Sequence, residues 1–119
     1  MTQNETPVPP TAWQMPAQFT LCEPICATLR WDGLTRTYEL RGQNGAVGRV
    51  AVQAFSPSAG VSMSRTDPQG IVGGSASPGL TAVYAGRITG PRQAQGTVEW
   101  QWHWNGPWQT RRGTWVANW

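Results

Sequence analysis

The sequence predicts an all-β fold: an antiparallel meander of about seven strands closing into a small barrel or sandwich. Three observations predict it. Charged residues make up only 13% of the chain, against roughly 25% in ordinary globular proteins. Fourteen Gly and ten Pro punctuate segments rich in Val, Thr and Trp, the composition of short strands joined by tight turns. No window holds a 3.6-residue apolar period, so little or no helix is expected. At 119 residues there is room for one domain.

Residues 1–16 read as a flexible, proline-containing tail in which Trp13 can serve as an anchor, and 17–119 as a single β domain. The first strand candidate runs from Gln18 to Trp31, with Ala27, Leu29 and Trp31 on one face. Within it, Cys22 and Cys26 would lie about 13 Å apart if extended, too far for a disulfide. A turn at Glu23-Pro24-Ile25 brings them together, so a disulfide and two reduced thiols both stand open. Asp32-Gly33 signals a hairpin into Thr35–Arg41, where Arg36, Tyr38 and Leu40 share a face. Arg49–Phe55 and Val61–Thr66 follow. Asp67–Gly79, with its Pro and Gly residues, reads as a long surface loop in which Asp67 caps a turn. Leu80–Ile88 resumes the alternation, with Leu80, Ala82, Tyr84, Gly86 and Ile88 on one side.

The closing hairpin is read as Thr97–Trp104 and Gly113–Trp119, with 105–112 as its loop. Spacing by two puts Trp100, Trp102 and Trp104 on one face and Glu99, Gln101 and His103 on the other. Matching large residues to small ones pairs Trp102 with Trp115, Trp104 with Gly113, Trp100 with Ala117 and Val98 with Trp119. Trp100, Trp102 and Trp115 are expected in the core. Trp108, beside Arg111 and Arg112, is the foremost candidate for an exposed binding ring, followed by Trp104 and Trp119.

The nine basic residues are all Arg, as a GC-rich genome would give, and the net charge of +3 is scattered. A nucleic-acid stripe is therefore disfavoured. No apolar run is long enough to span a bilayer as a helix, and no secretory segment opens the chain. The chain is cytoplasmic if Met1 is its natural start, and a small disulfide loop would instead imply an oxidising compartment. Two thiols and the lone His103 do not complete a metal site, and no cofactor is expected. His103 reads as a solvated strand residue. Neither a nucleophile elbow nor a phosphate-binding loop is present, and no carboxylate pair suggests itself, so the reading is not an enzyme.

The segments Ser64-Arg65-Thr66-Asp67, Gly79–Gly90, Gly96-Thr97-Val98-Glu99-Trp100 and Gly113–Trp119 resemble a pattern of small bacterial β-meander proteins, often exported. The resemblance covers about half the chain, and Cys22, Cys26 and Trp31 are compatible with it. It implies a β-meander and a periplasmic or extracellular location. A fainter similarity, through Gly-Thr-Val-x-Trp and Thr-Trp, is to avidin-like and other calycin barrels, which line their cavities with tryptophan. The function expected is a non-catalytic module contacting a protein partner or larger assembly at the cell envelope. Alternatives are carbohydrate binding through Trp104, Trp108 and Trp119, a barrel holding a small apolar ligand against Trp100, Trp102 and Trp115, and single-stranded nucleic acid held by Arg87, Arg92, Arg111 and Arg112.

Overall fold

A computed structural model describes residues 14–23, 25–72, 75–77, 79–103 and 107–119, with side chains for all of these but 69–77. The strands are β1 (Gln18–Cys22), β2 (Cys26–Asp32), β3 (Thr37–Gly42), β4 (Val47–Ser56), β5 (Gly60–Val72), β6 (Ser75–Ser77), β7 (Leu80–Gly90), β8 (Gln93–Trp102) and β9 (Gln109–Asn118). Every pairing is antiparallel, and eight strands form a closed ring in the order β1-β2-β3-β4-β5-β7-β8-β9, with β9 returning to β1. β6 lies outside this ring and, among the described residues, pairs with the far end of β5 alone. Among the described residues no helix is long and apolar enough to cross a membrane.

Alternation builds the ring. Phe19 and Leu21, Ala27 and Leu29, Tyr38 and Leu40, Val61 and Met63, and Leu80, Ala82 and Tyr84 are buried at every second position, as a strand with one wet face requires. Trp31 has the parity of Ala27 and Leu29 but sits at the end of β2, half exposed, its ring edge-on to Tyr38 at 5.1 Å. Met15 already packs against the core, and Tyr38 Oη donates to the Pro16 carbonyl, so the ordered domain reaches back into the expected tail. Trp13 and the rest of 1–13 lie outside the described residues.

Four expectations are corrected. Arg36 belongs to the turn rather than to β3: its φ is 58°, and its N–H closes the turn onto the Asp32 carbonyl. Asp67–Gly79 is not one loop, because β5 continues to Val72 and turns into β6. Pro68 is tolerated there because the pairing of β4 with β5 slips by one residue between Val47↔Gln69 and Arg49↔Thr66, a bulge that frees a position from the ladder. Asp67 caps no turn; it is a fully buried residue of β5.

The fourth correction is the register of the closing hairpin. β8 starts at Gln93 and β9 at Gln109, so Trp102 faces Gln109, Trp100 faces Arg111, Val98 faces Gly113 and Ala94 faces Ala117. Trp115 faces Gly96, which in turn faces Gly86 on β7. A Cβ at Gly86 would stand 2.8 Å from Trp115 Cζ2, and one at Gly113 would stand 2.7 Å from Trp100 Cη2. Large still meets small, but the small partners are glycines on three strands, β7, β8 and β9. The slip is six residues, an even number, so every side chain keeps its expected face. Trp102 and Trp115 are buried and Trp100 is partly buried, as expected of the core. β9 already begins at Gln109, so 105–112 is not one loop.

Candidate binding cleft at one rim of the barrel

One rim of the ring carries the β1–β2 turn, the β3–β4 turn and the β8–β9 loop, and here the interior turns polar. Arg65 and Asp67 share the parity of Val61 and Met63, so the strand that fills the core also carries two charges into it. They bind each other through two parallel bonds, Nε to Oδ1 at 2.9 Å and Nη2 to Oδ2 at 2.7 Å. Gly48 makes the room, since a Cβ there would overlap the Asp67 carboxylate. Arg65 Nη1 reaches Glu23 Oε1 and Tyr84 Oη, each at 3.3 Å. Tyr84 Oη donates to the Glu23 carboxylate at 2.8 Å, and Trp100 Nε1 donates to Glu23 Oε1 at 2.6 Å.

Two carboxylates thus share one guanidinium, and Asp67 has the better geometry. Burial pushes the Glu23 carboxyl above its ordinary value, while Arg65 and the donors Tyr84 and Trp100 pull it down without reversing the shift. Burial likewise pushes the Tyr84 phenol up, helped by the adjacent Glu23 charge. For Arg65 burial works against the charge, but the bonds to Asp67 outweigh it and the guanidinium is held more firmly protonated. The arrangement acts as a clamp. It ties the β1–β2 turn, through Glu23, to β5, β7 and β8, and the Cys22–Cys26 disulfide closes the same turn across directly opposed residues.

Beside the clamp lies a cleft of about 780 Å³, lined among others by Glu23, Ile25, Ala46, Trp100, Trp102 and Arg111. Its origin is a mismatch of strand lengths. β1 pairs β9 only at Thr20↔Asn118, Leu21↔Ala117 and Cys22↔Val116, then turns away. β9 extends seven residues further, Gln109–Trp115, with β8 on one side and no described strand on the other. Consecutive residues from Arg111 to Val116 line the cleft. Side chains of one face would line it at alternate positions; an unbroken run means that the strand's edge does.

The residues singled out from the sequence divide accordingly. Arg111 lines the cleft, its guanidinium 5.6 Å from the Trp102 ring centroid, and has no carboxylate partner among the described residues. Arg112 takes the opposite parity and pairs across the outer face with Glu99 at 2.8 Å. Trp108 is 57% exposed at this rim, its ring 4.3 Å from His103 between centroids. His103 is thus a half-buried support for Trp108 rather than a solvated side chain. Trp119 sits at the other rim, edge-on to Phe55 at 5.4 Å. Trp108 and Trp119, roughly 35 Å apart along extended β9, cannot share one platform for a sugar. Trp104 lies outside the described residues.

Sequence reasoning missed Glu23, Arg65, Asp67 and Tyr84 as a group. The available signal was parity: charges at 65 and 67 continue the apolar face of 61 and 63. Trp102 Nε1 is buried with no acceptor among the described residues. Comparison with known proteins finds no matching family model, no matching curated protein and no matching solved structure.

Proposed function

We propose that this chain is a non-catalytic binding module whose partner is another protein, taken at the cleft rim. The observation that carries the reading is the incomplete wall, where seven residues of β9 run past the end of β1 beside a largely apolar cleft. Exposed backbone edges and exposed large rings are costly to leave bare. Ile25 and Trp108, both at least half exposed, stand on the two sides of this rim. A tryptophan held against a neighbouring ring suits the centre of a protein interface. The disulfide fits an oxidising compartment, in keeping with a role in an assembly at the cell envelope.

Affinity capture followed by size-exclusion chromatography tests this. The protein should elute in a stoichiometric complex, and Ile25→Glu, at a position exposed in the free protein, should release the partner without unfolding the barrel. A strictly monomeric protein that captures nothing overturns the reading.

A second reading, a small ligand held as in calycin barrels, is favoured by one observation. The Trp102 indole lines the cleft, and its buried Nε1–H has no acceptor among the described residues; a ligand oxygen or nitrogen would satisfy it. Native mass spectrometry of freshly purified protein should then show added mass; its absence removes this reading.

A further inference from the structure

The cleft rim offers a protein partner two different things, side chains and a strand edge, and the edge says more about what the partner is. In an antiparallel pair each strand turns alternate N–H and C=O groups towards its neighbour and the rest away. Along Gln109–Trp115, β8 satisfies one set, and the set facing the cleft has no described acceptor or donor. We infer that an extended, acidic segment of the partner protein adds to the β9 edge at Gln109–Trp115, completing the barrel wall above Cys22 and placing a carboxylate against Arg111.

This rests on the reading of the chain as a protein-binding module and specifies how the partner is held. Three features fix the occupant. First, the position is collinear with β1, so a strand there runs antiparallel to β9, as β1 does, and its inward side chains enter the cleft. The wall across from β9 is made of Ala27, Gly42 and Ala46, whose small side chains leave space for apolar residues at alternate positions. Second, the charge facing the cleft edge is positive. Arg111 has no carboxylate partner among the described residues, while Arg49, Arg41 and Arg112 are each paired. Third, the edge is ill suited to a second copy of itself. Antiparallel pairing of two β9 edges about their middle residue sets Arg112 opposite Arg112 of the other copy, with both Arg111 side chains one position away, and like charges placed opposite one another are destabilising. A foreign strand with acids at those positions meets no such opposition.

The probe is a fluorescein-labelled, acetylated and amidated hexapeptide, Val-Thr-Val-Thr-Glu-Thr, with a control in which the Glu is replaced by Lys. Its Glu shares the face of its Val residues and falls opposite Arg111 when the register of β1 with β9 is continued. Anisotropy should show saturable binding of the acidic peptide, about tenfold tighter than the Lys control. Arg111→Glu, at an exposed position, should reverse that order, and Arg111→Ala should erase the preference. Amide hydrogen exchange should slow within Gln109–Trp115 when the acidic peptide binds.

Binding that leaves those amides unprotected, or an equal affinity for both peptides, overturns the inference. So does a concentration-dependent dimer of the protein alone that protects the same amides, since the occupant is then a second copy. The outcomes separate the two levels. A partner complex that is broken by Ile25→Glu but leaves β9 exchange unchanged overturns strand addition and keeps the binding module. No complex of any kind overturns both.

Discussion

The two rims of this barrel are built from the same eight strands and are stabilised in opposite ways. At the rim where the chain ends, Phe19 packs against Tyr38 at 5.1 Å and Phe55 at 5.7 Å, Phe55 meets Trp119, and β1 is paired on both sides. At the cleft rim the interior holds Arg65, Asp67 and Glu23, and β1 has already left the wall. Apolar packing is nondirectional and gives stability in proportion to area. A buried ionic group adds little net stability but fixes one geometry, because each member is expensive to leave unmatched. The first rim thus holds the barrel together, and the second holds a turn in place beside an opening.

The largest effect expected from this contrast is at the packed rim. Phe19→Ala should cost about 3–5 kcal/mol in urea unfolding, through lost burial and a cavity among three rings. A loss under about 1 kcal/mol would mean that the rim is loosely packed and the contrast false. Next comes Arg65→Met, which strands two carboxylates in the interior and should cost about 3 kcal/mol at neutral pH. The deficit should shrink as pH falls, because buried carboxyls without a counter-ion take up protons more readily in the folded chain than in the unfolded one. A pH-independent loss would instead point to packing.

Replacing Cys22 and Cys26 with Ser should cost about 2 kcal/mol, since the disulfide closes only a short loop. More telling is where the loss appears. Exchange should quicken in the β1–β2 turn and in β9 near Val116, with β4 and β5 unaffected; uniform quickening would deny the turn any separate role.

The smallest effect concerns Glu23. Its carboxyl is raised from the ordinary 4.5, so its favourable contribution is complete below that pH and is lost as pH rises through the raised value. Asp32 is lowered, chiefly by the Leu34 N–H, and its contribution is lost only as pH falls below its ordinary 3.8, a separate window. Glu23→Gln keeps an acceptor for Tyr84 and Trp100 without the charge. It should flatten the stability profile just above pH 4.5, and an unchanged slope would show that Glu23 is not the group titrating there.

How much of this was legible in the sequence follows from the distance over which each feature is decided. Faces are decided locally: the alternation of Tyr38 with Glu39 and of Tyr84 with Ala85 is enough to show which side of the strand is dry. Register is decided remotely. Trp115 is seated by Gly96 on the neighbouring strand and Gly86 one strand beyond, and no rule confined to the hairpin can find the second glycine. The pairing inferred from the hairpin alone therefore slid, but by an even number, and kept the indoles of Trp100, Trp102 and Trp115 on the inner face. Arg65 and Asp67 were readable as misplaced charges on an apolar face, whereas Glu23, in a turn outside any strand pattern, carries no periodic signal. The disulfide was undecidable by spacing because it depends on whether 23–25 turns, which tertiary bonds to Glu23 settle.

The adjacency of the two ends of the ring has a practical consequence. Thr20 pairs with Asn118, so the chain enters and leaves at the same rim, the one away from the cleft. A tag or a neighbouring module joined before Gln14 or after Trp119 is therefore carried at the base of the molecule, leaving its mouth unobstructed. A short linker across that base, with new termini opened at Pro57–Ala59, gives a permuted chain that retains every strand pairing.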